Sequence, residues 1–173
     1  MKRATRSEGS AALPPLLLAT VQQETGIFDL AFDADGDIGV SFGSANAYVR
    51  LVGDPPHVRL HSPLIRGIDA TPALLARINE LNCAVIHPHF LFIGGAICAV
   101  TDVPASPYVP EHVAHALQEL CKVSESIAEL LQAEFSEGTT FGAAMSSALK
   151  HGYGRAAPTD QLNMMQRKLN GNM

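Results

Sequence analysis

The sequence predicts a two-layer α+β domain, in which helices cover one face of an antiparallel sheet. Two observations lead to this fold class. Apolar residues alternate with polar ones between residues 28 and 65 and again between residues 85 and 103, which is the spacing of strands. Segments with apolar residues three and four positions apart precede, separate and follow these stretches. The resulting order is α-βββ(β)-α-ββ-α, and such grouping of strands and helices is typical of α+β domains.

The first half of the chain predicts a short helix followed by a meander of strands. Pro14 or Pro15 suits the first position of a helix, and Gly26 suits its end. Asp35-Gly36 is a hairpin turn signal between two of the alternating runs. We therefore expect three or four strands, at residues 28–32, 38–42, 47–52 and 57–65.

The second half predicts a helix, a hairpin and a long helix. Thr71-Pro72 is a cap followed by a first helical position. Gly94-Gly95 predicts a tight turn between a strand at residues 85–93 and its partner at 96–103. We expect the long helix to end at Gly138, and one stripe of it has seven members at spacings of four or three: Val113, Leu117, Leu120, Ser124, Ile127, Leu131 and Phe135.

Charge is distributed unevenly along the 173 residues, whose formal net charge is −5. Residues 7–137 hold five bases and 16 acids, whereas residues 1–6 hold three bases and residues 138–173 hold four bases and one acid. We predict a disordered N-terminus at 1–12, a folded domain at 13–137, and a basic C-terminal tail at 138–173 that is partly helical or mobile. An acidic folded body excludes a nucleic-acid binder, because phosphate contacts need a basic surface.

The compartment is predicted from the cysteines and from the lack of a membrane signal. Cys83, Cys98 and Cys121 are odd in number and form no C-x-x-C pair, which is typical of free thiols in a reducing cytoplasm. No run approaches the 18 or more apolar residues of a membrane span. We expect a cytoplasmic protein with no membrane and no nucleic-acid partner.

The side chains that could carry chemistry form no convincing active site. The acidic run 33–37 has its glycine at the wrong position for a calcium loop, so we interpret it as a turn. There is no nucleophile elbow, phosphate loop or dinucleotide fingerprint. Histidines at related positions leave one alternative open, a metal-dependent enzyme or metal sensor: His57 with His61, His87 with His89, and His112 with His115. Our main expectation is no enzyme, no metal and no cofactor.

One segment resembles a known family. Residues 74–82 are predicted to be helical, and the last turn of this helix carries Asn79, Leu81 and Asn82. The hairpin predicted after it ends in Asp102-Val103-Pro104. This combination resembles the YbjN-like family of bacterial proteins and the related class I type III secretion chaperones, over residues 14–135. The resemblance implies structural roles for the motif residues Asn79, Asn82, Asp102 and Pro104. It also implies a small acidic homodimer that binds a peptide segment of a partner.

The second hairpin supplies the candidate binding residues. Along a strand at 85–93, Ile86, Phe90 and Phe92 share one face, and apolar residues also occupy the other face. A bound peptide, a second copy or the protein's own tail could cover the second face. We therefore predict a chaperone-like module that engages a basic amphipathic segment of a partner through an apolar surface. A structural or regulatory subunit with no peptide groove is a further alternative.

Overall fold

The computed structural model describes residues 6–135 and 139–140, with side chains described from residue 12 to residue 135. It contains three long helices and a sheet, so the predicted α+β class is confirmed. The elements in chain order are α1 (Arg6–Thr25), β1 (Ile38–Phe42), β2 (Ala45–Val52), β3 (His57–Arg66), α2 (Pro72–Ala84), β4 (His89–Ile93), β5 (Ala96–Pro104), α3 (Pro110–Glu134) and β6 (Thr139–Thr140).

The sheet is antiparallel, with the strand order β1-β2-β3-β5-β4. The short strand β6 pairs with the end of β3, opposite Ile65 and Arg66. Two predicted turns are confirmed: Gly36 has a φ of 80°, and Gly94 and Gly95, between β4 and β5, have φ values of 55° and 77°. A positive φ costs glycine little because it has no Cβ, which explains why glycine occupies these positions.

All three helices pack on one face of the sheet. α3 lies across β2, β3 and β5, α1 packs on α3, and α2 packs on β4. Their buried side chains join those of the strands in one core cluster that extends from Leu13 to Leu131. Five members of the predicted stripe of α3 are buried, as are Ala116 and Cys121 beside it: Val113, Leu117, Leu120, Ser124 and Leu131. Ile127 and Phe135 pack partly buried against the core. A smaller cluster of Ala96, Cys98 and Val100 lies on the opposite face of β5, which we call the outer face.

Two sequence predictions about the elements in the first part of the chain were wrong. α1 begins at Arg6 and contains both prolines, rather than beginning at Pro14 or Pro15. Residues 28–32 form no strand, and only Phe32 makes a bridge, to Ile38. Residues 28–32 do not pair as a strand because the Gln22 side-chain amide donates to the carbonyls of Phe28 and Leu30, at 3.0 Å each. These hydrogen bonds take the place of a neighbouring strand.

The start of the second hairpin was also wrong, because β4 begins at His89 and not at Val85. Helix α2 continues to Ala84, and the Val85 N–H still donates to the Leu81 carbonyl. Residues 86–88 are then needed to turn the chain from the helix into the strand.

The acidic run forms a turn, as expected. The Asp33 carboxylate accepts backbone N–H bonds from Asp35 and Asp37, at 2.9 and 2.8 Å. Such bonding to its own backbone is the usual behaviour of aspartate in turns.

The predicted C-terminal tail lies outside the described residues except for β6, and residues 1–5 lie outside them as well. The domain limits at 13–137 and 138–173 therefore stay predictions. Within the helices that the structure does describe, none is long and apolar enough to cross a membrane.

Candidate functional site

The three predicted partner-binding residues do not share one surface. Phe90 is 1% exposed and packs in the core beneath the helices. Phe92 is half-buried against the same core, whereas Ile86 is 86% exposed in the connection between α2 and β4. Ile86 is separated from the two phenylalanines because β4 starts three positions after it. Their role in partner binding stays a prediction, and Phe90 presents no accessible surface for it.

The asparagines of the α2 motif have different environments. The Asn82 side chain accepts a hydrogen bond from the Phe90 N–H at 2.7 Å and donates one to the Phe90 carbonyl at 3.0 Å. These two backbone groups belong to the edge strand β4, so Asn82 occupies part of that edge. Asn79 is exposed on α2. Asn82 therefore satisfies backbone groups, as an asparagine near a helix end commonly does.

The other motif residues lie where β5 ends. The Asp102 carboxylate accepts two hydrogen bonds from the Arg59 guanidinium, at 2.7 and 2.6 Å, and the two residues are partners across β3 and β5. This contact raises the pKa of Arg59, chiefly through the hydrogen bond to Asp102. Pro104 is the last residue of β5 and lies opposite His57. Asp102 thus links the two central strands on the outer face.

The exposed apolar side chains fall into two groups by position, with Leu130 of α3 apart from both. Around α1 and the loop that follows it are Leu16 at 48%, Ile27 at 38% and Phe28 at 76% exposure. Around α2 and β4 are Leu75 at 48%, Ile86 at 86% and Leu91 at 41%. Sequence reasoning assigned Phe28 to a strand and so missed the first group. The position of Gly26 could have indicated this group, because a glycine that ends a helix places the next residues, Ile27 and Phe28, in a loop.

The outer face carries a buried histidine that has no hydrogen-bond partner in the described structure. His61 is 1% exposed, and neither ring nitrogen is hydrogen-bonded. Its ring stacks on Tyr48, with centroids 5.2 Å apart and planes at 20°. Burial lowers the pKa of His61 from 6.5 to about 4, and the charges of Arg50 and Arg59 act in the same direction. His61 is therefore neutral at physiological pH.

A buried ion pair lies beside this histidine. The Arg50 Nε is 2.8 Å from the Asp37 carboxylate, and Asp37 is 1% exposed. Burial raises the pKa of Asp37 to about 6, against the lowering effect of Arg50 and together with the nearby charges of Asp33 and Asp35. The pair joins the turn before β1 to β2.

The histidine pairs do not assemble into a metal site in the described part of the chain. His57 and His61 share the outer face of β3, with His61 buried. His87 precedes β4 rather than lying in it, and its ring meets that of His89 edge-on at 5.7 Å. No three histidine, cysteine or acidic side chains among the described residues are placed to hold a metal ion. The metal-dependent alternative gains no support from these residues.

A cavity of about 340 Å³ lies between the first half of α3 and the last residues of β5. Two of its walls are Val103 and Ala116, which are each 8% exposed. The Glu119 carboxylate is at the α3 side, 3.7 Å from the Nε2 of His115. The complete lining consists of His87, Thr101, Asp102, Val103, Pro104, His112, His115, Ala116 and Glu119. Sequence reasoning missed this cavity, because the cavity forms where β5 continues past β4.

The fold is similar to that of chains in two solved complexes. One is a chain of the HopA1–SchA chaperone–effector complex, with a TM-score of 0.53 and 13% identity, covering 66% of this chain and 92% of that one. The other is a chain of the ExsC–ExsE complex, with a TM-score of 0.56 and 18% identity, covering 69% of this chain and 96% of that one. At these identities the likeness establishes a shared fold.

The sequence itself establishes the family. Residues 11–143 match the family described as the T3SS (YopN, CesT) and YbjN peptide-binding chaperone 1 family, TY-Chap1. This chain belongs to that family, so the resemblance predicted from the motifs at 74–82 and 102–104 is confirmed. A search of curated proteins found no match.

Proposed function

We propose that this protein is a chaperone-like module, without enzymatic activity, that binds a segment of a partner polypeptide. The observation that carries the proposal is the family match over residues 11–143, since the family is one of peptide-binding chaperones. The fold agrees, because it is shared with chains from a chaperone–effector complex and from the ExsC–ExsE complex. The partner segment binds through exposed apolar side chains on an acidic body.

The apolar group around α1 supports this mode of binding. Phe28, at 76% exposure, and Ile27, at 38%, belong to a loop, where binding residues are commonly found. Exposed acidic side chains follow them at Asp29, Asp33 and Asp35. A segment with one apolar and one basic face matches this surface in both hydrophobicity and charge.

Co-purification tests the proposed function. The full-length protein, isolated from its host, is expected to retain a stoichiometric protein partner with a basic amphipathic segment. The substitution Phe28→Asp should reduce retention of that partner, whereas Leu130→Asp on α3 should not. A wild-type protein that retains no partner, and whose melting temperature no partner segment shifts, would contradict the proposal.

A homodimer is the second part of the proposal, and the α2–β4 group supports it. Leu75, Ile86 and Leu91 leave apolar surface exposed on α2, β4 and the connection between them. A second copy of the chain removes that surface from water. Sedimentation equilibrium is expected to give a dimer for the wild type and for Phe28→Asp, and a weakened dimer for Ile86→Asp. A monomeric wild type at micromolar concentration contradicts this part alone.

We also place the protein in the bacterial cytoplasm. The support comes from Cys83, Cys98 and Cys121, all of which are free thiols. Burial raises the pKa of both Cys98 and Cys121 to about 11, so these two are unreactive protonated thiols. Fractionation of the host with an antibody to the protein tests this location.

A further inference from the structure

The outer face of the sheet is shielded from water at its centre. Cys98 on β5 is 0% exposed, Ala96 and Val100 beside it are 4% and 6% exposed, and His61 on β3 is 1% exposed. Side chains alternate between the two faces of a strand, so a face open to water would leave these residues exposed. Leu91, opposite Cys98 on the edge strand, is 41% exposed. The exposures therefore indicate a cover that lies over β3 and β5.

The described helices do not provide this cover. Their buried apolar side chains belong to the core cluster on the other face, whereas the outer-face cluster consists of β5 residues alone. Two arginines near the centre of the outer face already have carboxylate partners, because Arg50 contacts Asp37 and Arg59 contacts Asp102. The cover therefore meets an apolar centre and needs no charge of its own.

Strand β6 indicates how the chain beyond α3 reaches this face. Thr139 and Thr140 lie opposite Arg66 and Ile65. β5 occupies one side of these two β3 residues, so β6 lies on the other side, where β2 also pairs. Because β6 and β3 are antiparallel, the chain beyond Thr140 runs along β3 toward His61, where the pairing with β2 begins.

At that point two of the three possible paths are occupied by described elements. β2 fills the plane of the sheet beside β3 from His61 onward. α3 packs on β2, β3 and β6 and so fills the helix side. A chain that leaves β6 in this direction is therefore directed onto the outer face.

The residues that follow β6 match the centre of the outer face in chemistry and length. Residues 141–149 include no charged side chain, and the spacing of Phe141, Met145, Ala148 and Leu149 predicts one apolar side of a short helix. These residues lie outside the described part of the chain. Nine residues extend about 13 Å as a helix, and the outer-face cluster extends about 13 Å along β5.

From these observations we infer that residues 141–149 dock as a helix on the outer face, over Cys98 and His61, and close this face to other polypeptides. This contact goes beyond the proposed function, because it joins two parts of the same chain. It leaves the exposed apolar side chains around α1 as the surface open to a partner.

Thiol labelling of the full-length protein tests the docking. Its three cysteines have different environments: Cys83 is exposed, Cys98 lies on the outer face, and Cys121 lies in the core on the helix side. Labelling of each by N-ethylmaleimide is followed by mass spectrometry of peptides. In the wild type Cys83 is expected to react fast and the other two slowly, since burial raises the pKa of both to about 11.

Combining Met145→Asp with Leu149→Asp should release the segment, because each aspartate places a charge in an apolar contact. Labelling of Cys98 is then expected to become faster by about tenfold or more, as for a site freed by local opening. Cys121 should stay slow, which shows that the domain remains folded. The matched control is Ser147→Asp, which adds a charge on the opposite side of the predicted helix and should leave Cys98 slow.

His61 gives a second readout in the same proteins. Burial is the main reason why its pKa is about 4 instead of 6.5. Release of the segment uncovers the ring, so the pKa of His61 is expected to rise toward 6.5 in the double variant and to stay unchanged in Ser147→Asp. Titration of the imidazole signals by NMR measures both.

Four results would overturn the inference. Fast labelling of Cys98 in the wild type means that the outer face is not covered. Equal labelling of Cys98 in the double variant and in Ser147→Asp means that something other than residues 141–149 covers it. Acceleration of Cys98 and Cys121 together assigns the segment to the core, and protection that the wild type loses on dilution assigns the face to a second copy. No partner is needed, so co-purification judges the proposed function separately.

Discussion

Asn82 connects the end of α2 to the edge of the sheet through two hydrogen bonds to the same residue, Phe90. Phe90 is itself 1% exposed, so the asparagine fixes the position of the largest side chain in the buried set. A buried backbone group that loses its partner costs more than the bond contributes when formed, because water does not replace that partner. The α2 motif is thus a structural contact between a helix and a strand.

Replacing Asn82 with alanine is expected to lower the free energy of unfolding by about 1–3 kcal/mol, since two backbone groups of β4 lose their partner. Asn79→Ala, on the exposed side of the same helix, should change it by less than about 0.5 kcal/mol. Urea denaturation followed by circular dichroism measures both. Equal effects of the two substitutions would contradict the structural role of Asn82.

His61 makes stability depend on pH. In the folded protein its pKa is about 4 because of burial, against 6.5 when exposed. The unfolded chain therefore binds the extra proton first as pH falls. The stability that the neutral ring contributes is complete above pH 6.5 and is lost as pH falls to about 4. Between pH 4 and 6.5, this histidine makes the free energy of unfolding rise by at most about 1.4 kcal/mol per pH unit. We expect His61→Phe to remove that rise.

Asp37 acts in the opposite direction. Its folded pKa of about 6 lies above 3.8, so its contribution is complete below pH 3.8 and is lost as pH rises to about 6. In the wild type, the opposite effects of His61 and Asp37 on the pH dependence of the unfolding free energy partly cancel. We expect the unfolding free energy of Asp37→Asn to rise more steeply with pH from 4 to 6 than that of the wild type. That of His61→Phe should rise less steeply or fall. Identical slopes in all three proteins would refute both assignments.

At the scale of the elements, α3 holds the domain together. Its buried stripe packs against β2, β3 and β5, and α1 also packs on it. The stripe was predictable from spacing because a helix buries residues three and four positions apart whatever covers them. The start of β4 was not predictable, because it depends on how far α2 extends and on the capping bond of Val85.

Leu117→Ala in this stripe is expected to destabilise the protein by about 2–5 kcal/mol, because it leaves a cavity in a fully packed region. Leu117 is 1% exposed, and Leu130 on the same helix is 37% exposed. Leu130→Ala should therefore cost less than about 1 kcal/mol. Thermal and urea unfolding of the two variants test this; comparable losses would place the core elsewhere.

At the scale of the whole molecule, the side chains of the buried core cluster that belong to the described residues lie between Leu13 and Leu131. The two residues of β6 pair with the end of β3. The acidic charge belongs to this same region, since residues 138–173 contribute four bases and one acid. The described core and the acidic charge thus belong to the same part of the chain, and residues 138–173 carry an excess of basic charge.

A chain shortened to residues 1–137 is expected to keep the fold, because the core cluster formed by the described residues stays complete. We expect the free energy of unfolding to fall by no more than about 2 kcal/mol, the effect of a few edge hydrogen bonds. Two-state unfolding and an unchanged amide NMR pattern for β2 and α3 would support the predicted domain limit. Loss of cooperative unfolding would show that the tail is part of the folded unit.

The sequence alone determined the class of fold, the stripe of α3, the turns at Gly36 and Gly94-Gly95, and the family. These features depend on neighbours within a few residues, through periodicity, backbone freedom and short motifs. Only the tertiary structure decided that Phe28 is exposed, that Phe90 is buried and that β5 continues past β4. Each of these depends on contacts between distant segments: Gln22 with the loop carbonyls, Asn82 with Phe90, and α3 with the end of β5. Packing between distant segments is not encoded in local spacing, so the candidate site could not be read from it.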